Sequence, residues 1–148
     1  MFKVYIGSDH GGFEAKEEIK KLLEKFDCYF EDLGTNSNES VDYPIYAKRV
    51  CQRVAQQKGS VGILICGSGT GMAIAANKFK GIRAALCYDN YSGKMARKDN
   101  DANVICLRGR EFDHDKYYEI LKAFLTTHFS ELDRHKKRLD MVRYFENG

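Results

Sequence analysis

The apolar positions of the chain fall into two alternating patterns. Short continuous runs, "FKVYI" (2–6), "VGILIC" (61–66), "IRAALC" (82–87) and "NVICL" (103–107), have the length of strands, and "CYFEDLG" (28–34) reads as another. A run that stays apolar at consecutive positions, as 61–66 does, suits a strand covered on both faces. Between these runs lie stretches that are apolar every third or fourth residue. Over 13–26, Ala15, Ile19, Leu22, Leu23 and Phe26 share one helical face. Pro44 suits the first turn of a helix that repeats Tyr46, Val50 and Val54 at four-residue intervals. Further helices are expected over 72–79, 88–98, 113–128 and 130–146. This alternation predicts an α/β fold: a five-stranded parallel sheet between helical layers, a Rossmann-like three-layer αβα sandwich. With no low-complexity linker and no repeat, 1–148 reads as one domain.

Composition changes this picture little. The 148 residues are 43% hydrophobic and 30% charged, with a formal charge of +3. That excess is too small to imply nucleic acid, though it suits a small anionic substrate. Cys28, Cys51, Cys66, Cys87 and Cys106 are odd in number and show no Cys-x-x-Cys spacing. A disulfide framework and a zinc site are therefore not expected. Free thiols, no recognisable leader and no membrane-length apolar run give the expectation of a cytoplasmic protein with no membrane partner.

In parallel sheets ligands bind beyond the carboxyl ends of the strands. Beyond the first run stand Ser8, Asp9 and His10, set between Gly7 and Gly11–Gly12. Beyond the third stand Cys66, Gly67, Ser68, Gly69, Thr70 and Gly71; beyond the fourth, Cys87 and Asp89; beyond the fifth, Arg108 and Arg110. The glycine turn leads into a helix, so unpaired N–H groups and the helix dipole favour an anion there. It matches neither nucleotide loop: a dinucleotide turn needs glycine at Met72, and the Lys-Ser/Thr pair of a phosphate loop is absent. A tight βα turn is the plain alternative.

Cys66 stands apart from the other cysteines, which read as structural, because donors for a developing negative charge follow it directly. A thiolate there suits removal of a proton beside a carbonyl, giving an enediolate. His10 sits among glycines that expose the backbone, whereas His114, His128 and His135 have no comparable setting. Asp9 reads as a ligand or as a helix cap. Tyr43 precedes Pro44, which biases it toward extended backbone, with its hydroxyl facing the rim or its ring merely packing. Arg134 and Arg138, four apart in "DRHKKRLD", would point the same way on a helix. They could clamp a phosphate or form a solvated basic face, and a nucleic-acid or localisation signal is a weaker third reading.

"GSDHGG", "DYP", "ICGSGTGMAIAANKFKGIRAAL" and "NDANV" together resemble the type B ribose-5-phosphate isomerases, a family that includes allose- and galactose-6-phosphate isomerases. The resemblance runs from Lys3 to about Arg138. It implies a metal-free, cofactor-free aldose–ketose isomerase of sugar phosphates, forming homodimers or tetramers whose sites use both subunits. The helix over about 130–146 would then pack near the dimer partner. Carried across, Cys66 is the base. Ser68 and the backbone N–H groups of Gly67 to Gly71, with Gly69 between them, hold the enediolate oxygen. Asp9 and Tyr43 bind sugar hydroxyls or the ring, and Asn100 contacts the sugar near the reacting carbons. His10, Arg110, Arg134 and Arg138 hold the phosphate. One family branch places a glutamate where this chain has Met72 and lacks the cysteine, so the cysteine chemistry is expected here.

One departure stands out. The family usually reads "HND" or "HNN" where this chain has Asp99, Asn100 and Asp101. The family histidine is associated with opening the furanose ring. Asp99 is expected to take that part as a weaker base, its unperturbed pKa being ~3.9. The expectation is interconversion of ribose 5-phosphate and ribulose 5-phosphate. The alternatives are the same reaction on allose 6-phosphate or galactose 6-phosphate, a non-catalytic sugar-phosphate binder, or a redox role for Cys66.

Overall fold

The computed structural model describes residues 1–147. The strands are β1 (Phe2–Ser8), β2 (Cys28–Asp32), β3 (Val61–Cys66), β4 (Ala84–Leu86) and β5 (Val104–Arg108). The helices are α1 (Phe13–Leu23), α2 (Tyr43–Gln56), α3 (Thr70–Ala76), α4 (Asn90–Lys98), α5 (Tyr117–Thr126) and α6 (Asp133–Phe145), with 3-10 turns at His10–Gly12 and His114–Lys116. All neighbouring strands run parallel, in the order β2-β1-β3-β5-β4.

Right-handed crossovers assign the helices to faces. The chain steps outward from β1 to β2 and then back across β1 to β3, so α1 and α2 lie on opposite sides. One core layer joins Ala15, Ile19 and Leu23 of α1, Ala96 of α4 and Ile120 and Phe124 of α5 to Val4, Ile63 and Ile105 of the sheet. The other joins Ala47 and Val50 of α2 and Met72 and Ala76 of α3 to Leu64, Val104 and Cys106. Alternate residues of β3 belong to opposite layers, with Ile63 and Ile65 on one and Leu64 and Cys66 on the other. Every residue of β3 is buried, as expected of a strand covered on both faces.

Several elements differ in extent from the expected ones. β1 runs two residues further, through Gly7, because its backbone continues the ladder to β3 as far as Ser8 paired with Ile65. β2 stops at Asp32, where Gly34 takes a positive φ of 96°. β4 is only the segment Ala84–Leu86, an edge strand paired to β5 alone. Tyr43 is the first residue of α2 rather than an extended residue before it; Asp42 is the extended cap. In the first turn the proline lacks only an N–H that would have no helical partner, so the helix can begin before it.

A buried ion pair staples α1 to the end of β2. The Lys16 side chain has no exposed surface, and its Nζ meets the Asp32 carboxylate, which also accepts from Lys20 at 2.7 Å. The Asp32 Oδ1 takes the Gly34 N–H at 2.9 Å. By contrast α6 buries only His135. Leu132, Met141, Val142, Tyr144 and Phe145 are all exposed, and a cleft of about 650 Å³ runs beside Met141, Tyr144 and Phe145.

Candidate active site

The connections leaving β1 and β3 run in opposite directions, toward β2 and toward β4. This opens a crevice between those two strands at their carboxyl ends. Asp9 and His10 leave β1 there, Cys66 to Gly71 leave β3, and the turn after β5 brings Arg110.

Strand alternation turns Cys66 toward the layer in which α2 and α3 begin. Its sulfur accepts the Gly69 N–H at 3.2 Å, and the residue keeps 5% of its surface exposed. Burial pushes the thiols of Cys51 and Cys87 up to about 12 and raises that of Cys106 as well, which suits their structural assignment. In Cys28 partial burial and nearby Asp27 act the same way.

The turn itself is a set of donors. Gly69 adopts a φ of 79°, a conformation that favours glycine, and an added Cβ would meet Leu86 at 2.6 Å. The Gly69 amide goes to sulfur and the Thr70 amide to the Ser68 Oγ at 3.2 Å. Neither is therefore left for a ligand oxygen, which narrows the expected set of amides. Those of Ser68, Gly71 and Met72 have no protein acceptor among the described residues. The Ser68 hydroxyl is exposed. The Tyr43 ring lies over Gly71 so closely that a Cβ there would meet it at 2.9 Å. This packing places the phenol at the turn.

Asp9 is buried, and its Oδ1 accepts the Gly12 N–H at 3.2 Å, so it does cap the 3-10 turn. No protein donor reaches Oδ2 among the described residues. The His10 Nδ1 accepts the Val41 N–H at 3.1 Å, which leaves the proton of the neutral ring on Nε2. The Arg110 guanidinium lies across two glycines: a Cβ on Gly11 would sit 3.3 Å from its Cζ, and one on Gly67 3.4 Å from Nη1. No carboxylate pairs with Arg110 among the described residues.

The remaining candidates lie elsewhere in the chain. Asp99 and Asn100 follow the last turn of α4, which has run back to the amino end of the sheet. β3 spans roughly 16 Å between the two ends at ~3.3 Å per residue. Arg134 and Arg138 are exposed on α6 and have no carboxylate partner among the described residues. Helix α6 is moored at that same end: Ser130 N donates to Lys98 O at 2.9 Å, and Gly81 N donates to Glu146 Oε1 at 3.0 Å. One chain therefore gathers Asp9, His10, Tyr43, Cys66, Ser68 and Arg110, and holds Asp99, Asn100, Arg134 and Arg138 apart from them.

Two histidines without a promising sequence setting acquire one in the fold. The buried His135 places Nε2 3.6 Å from the Asp99 carboxylate and Nδ1 2.6 Å from the Ser130 hydroxyl. His114 bridges α1 and the turn after β5. The carboxylate that each ring meets has no local sequence signature, since Glu18 and Asp99 come from elements distant in the chain.

A thiol at the switch point of a parallel sheet, beside amides and an arginine without a protein partner among the described residues, marks an α/β protein with its reactive groups gathered at the rim where such sheets bind ligands. The sequence matches the family described as Ribose/Galactose Isomerase over residues 4–142, and the chain belongs to that family of isomerases. A Bacillus subtilis (strain 168) protein, YwlF, provisionally named a sugar phosphate isomerase, is 42% identical over 145 residues, 97% of each chain. Ribose-5-phosphate isomerase B of Escherichia coli (strain K12) is 40% identical over 146 residues, 99% of this chain and 97% of that protein. The solved type B ribose 5-phosphate isomerase of Trypanosoma brucei superposes with a TM-score of 0.95 at 47% identity, covering 99% of each chain. The fold is that of type B ribose-5-phosphate isomerase structures.

Proposed function

We propose that this chain interconverts ribose 5-phosphate and ribulose 5-phosphate through an enediolate, with Cys66 as the general base. The observation that carries this reading is the rim at Cys66: a thiol receiving the Gly69 N–H, beside amides of Ser68, Gly71 and Met72 that have no partner among the described residues. The thiolate takes the C2 proton of the open-chain aldose, and the electron pair moves into a C1–C2 double bond as charge builds on O1. Returning a proton to C1, as the O2 proton moves to O1, gives the ketose. The amides, with the Ser68 hydroxyl, hold the oxygen on which charge develops. Asp9 and Tyr43 hold sugar oxygens. The Nε2–H of His10 and the Arg110 guanidinium take the phosphate.

In this reading a second copy of the chain completes the site, bringing Asn100 to the sugar and Arg134 and Arg138 to the phosphate. The homodimer is supported by the exposed apolar side of α6 and by two arginines that have no carboxylate partner among the described residues. Asp99, backed by His135, takes the proton in ring opening. Five free thiols among the described residues agree with a cytoplasmic location, which we also propose.

The test is an assay of pentose and hexose phosphates without added metal, run on the parent protein and on Cys66→Ala. General-base loss should slow turnover of ribose 5-phosphate about 10³-fold while inorganic phosphate still binds. Undiminished turnover removes Cys66 from its role. Preference for allose 6-phosphate or galactose 6-phosphate changes the substrate. No turnover by the parent leaves a sugar-phosphate binding protein.

A further inference from the structure

Three successive carbonyls, from the last residue of β5 into the turn beyond it, are each held by a side chain. Tyr117 Oη donates to Arg108 O at 2.5 Å, His114 Nε2 meets Gly109 O at 2.9 Å, and Arg108 Nε donates to Arg110 O at 2.7 Å. The middle contact differs from the others because it belongs to a titratable ring with a second partner. His114 Nδ1 lies 2.8 Å from the Glu18 carboxylate of α1. A carbonyl and an ionised carboxylate can only accept, so both ring nitrogens must donate, and the geometry is that of the imidazolium. The ring also packs on Tyr117, with centroids 4.9 Å apart.

The held peptide leads directly into the rim. The peptide that carries Gly109 O carries the Arg110 N–H, which donates to Gly67 O at 3.0 Å. The peptide of Gly67 O in turn carries the Ser68 N–H, one of the amides without a protein acceptor among the described residues. An unbroken series thus runs from the His114 Nε2–H through two peptide groups to Ser68, and each donor polarises the next. The same turn carries the Arg110 guanidinium over Gly11 and Gly67.

We propose that protonated His114 is a positioning residue for the phosphate and oxyanion cradle: it fixes the Gly109–Arg110 peptide, hence Arg110 and the Ser68 N–H, and loosens both when it loses its proton. The inference rests on the reading of Arg110 and Ser68 as ligands of a sugar phosphate. Glu18 and Glu14 of α1 face the ring, Arg110 lies on the turn it holds, and Asp113, Asp115 and Lys116 flank it in the chain. Burial alone would lower the His114 pKa. The bond to Gly109 O and the Glu18 carboxylate outweigh it, and the net direction is upward. The contribution is therefore complete below the ordinary ~6.5 and disappears as pH rises through the higher folded value.

The experiment follows sulfate binding, whose charge is constant from pH 6 to 9, by calorimetry in the parent, His114→Gln, Glu18→Gln and Arg110→Ala. The His114 C2–H resonance, assigned by its loss in His114→Gln, gives the titration midpoint. Loss of a charge-assisted bond should weaken sulfate about fivefold as the parent passes that midpoint. His114→Gln should bind at the weaker level throughout, without a step. Glu18→Gln, an exposed change that keeps the ring, should move the step to lower pH. A step that persists in His114→Gln, or parent-like affinity in that variant while Arg110→Ala is weak, overturns the positioning role alone. Parent-like affinity in Arg110→Ala overturns the assignment of Arg110, and the positioning role with it.

Discussion

At the carboxyl end of the sheet, Asp9, His10, Cys66 and Arg110 arrive from three different strands, yet one chain brings them together. At the amino end, Asp99 and Asn100 follow the last turn of α4, Arg134 and Arg138 stand on α6, and the thiol is a strand's length away. The first group is joined by backbone contacts between turns, such as Gly109 N to Cys66 O at 2.9 Å and Arg110 N to Gly67 O at 3.0 Å. In the second, the two arginines rest on α6, which buries a single residue. Parallel strands necessarily deliver their ends to one rim, whereas a returning helix necessarily delivers its end to the other. Residues of both ends can meet a common ligand only if a second copy supplies one set.

The sharpest way to break this comparison is to divide the two ends between chains. Arg134→Ala with Arg138→Ala should lower kcat/KM for a sugar phosphate about 10³-fold, since two charge-assisted phosphate contacts are lost. Mixed with Cys66→Ala protein after unfolding and refolding together, it should recover activity, because a hybrid dimer holds one intact site. Recovery absent from the mixture, with hybrid dimers present by native mass spectrometry, would show that each chain works alone.

A change at the carboxyl end tests whether that rim is fixed by buried charge. Asp32→Asn leaves the fully buried Lys16 without its carboxylate, at a cost of about 3 kcal/mol in urea unfolding, whereas Lys16→Met should be near neutral. Burial would raise the Asp32 pKa, but the bonds from Lys16, Lys20 and Gly34 N–H hold it below the usual carboxylate range. Its stabilisation is present above ~3.9 and lost as pH falls through the lower folded value. The parent should therefore lose more stability than Asp32→Asn below about pH 4. Equal acid sensitivity would remove the buried pair from the account.

The smallest expected effect belongs to Asp99. Asp99→Asn removes a base but keeps the contact with His135, and should slow turnover of cyclic ribose 5-phosphate about tenfold, less than the usual ~10²–10⁴-fold of acid–base catalysis because a carboxylate is a weak base near neutrality. Proton exchange on the open-chain form should be unchanged. Equal rates on cyclic substrate would exclude Asp99 from ring opening.

The layers were legible in the sequence because period-two and helical patterns report burial directly, and "VGILIC" reports burial on both faces. Its final cysteine pointed to the rim for the same reason: a strand's last residue lies at the sheet's end. The functions of amides within the glycine turn were less legible. Gly69 supplies its N–H to sulfur rather than to an open site, a choice made by backbone torsions that sequence spacing does not report. His114 and His135 carried no local signal, since the carboxylates they meet, Glu18 and Asp99, come from distant elements.

The sequence by itself determined the alternation of strands and helices, the thiol at the end of β3 and the glycines that leave its turn bare. These are consequences of side-chain pattern and backbone freedom, which are local. Only the tertiary structure decided that Asp99, Asn100, Arg134 and Arg138 stand at the opposite end from Cys66, which amides among the described residues remain unpaired and which histidines meet a carboxylate. Those outcomes depend on strand order and on the direction in which each helix returns, and both are set by contacts between segments far apart in the chain.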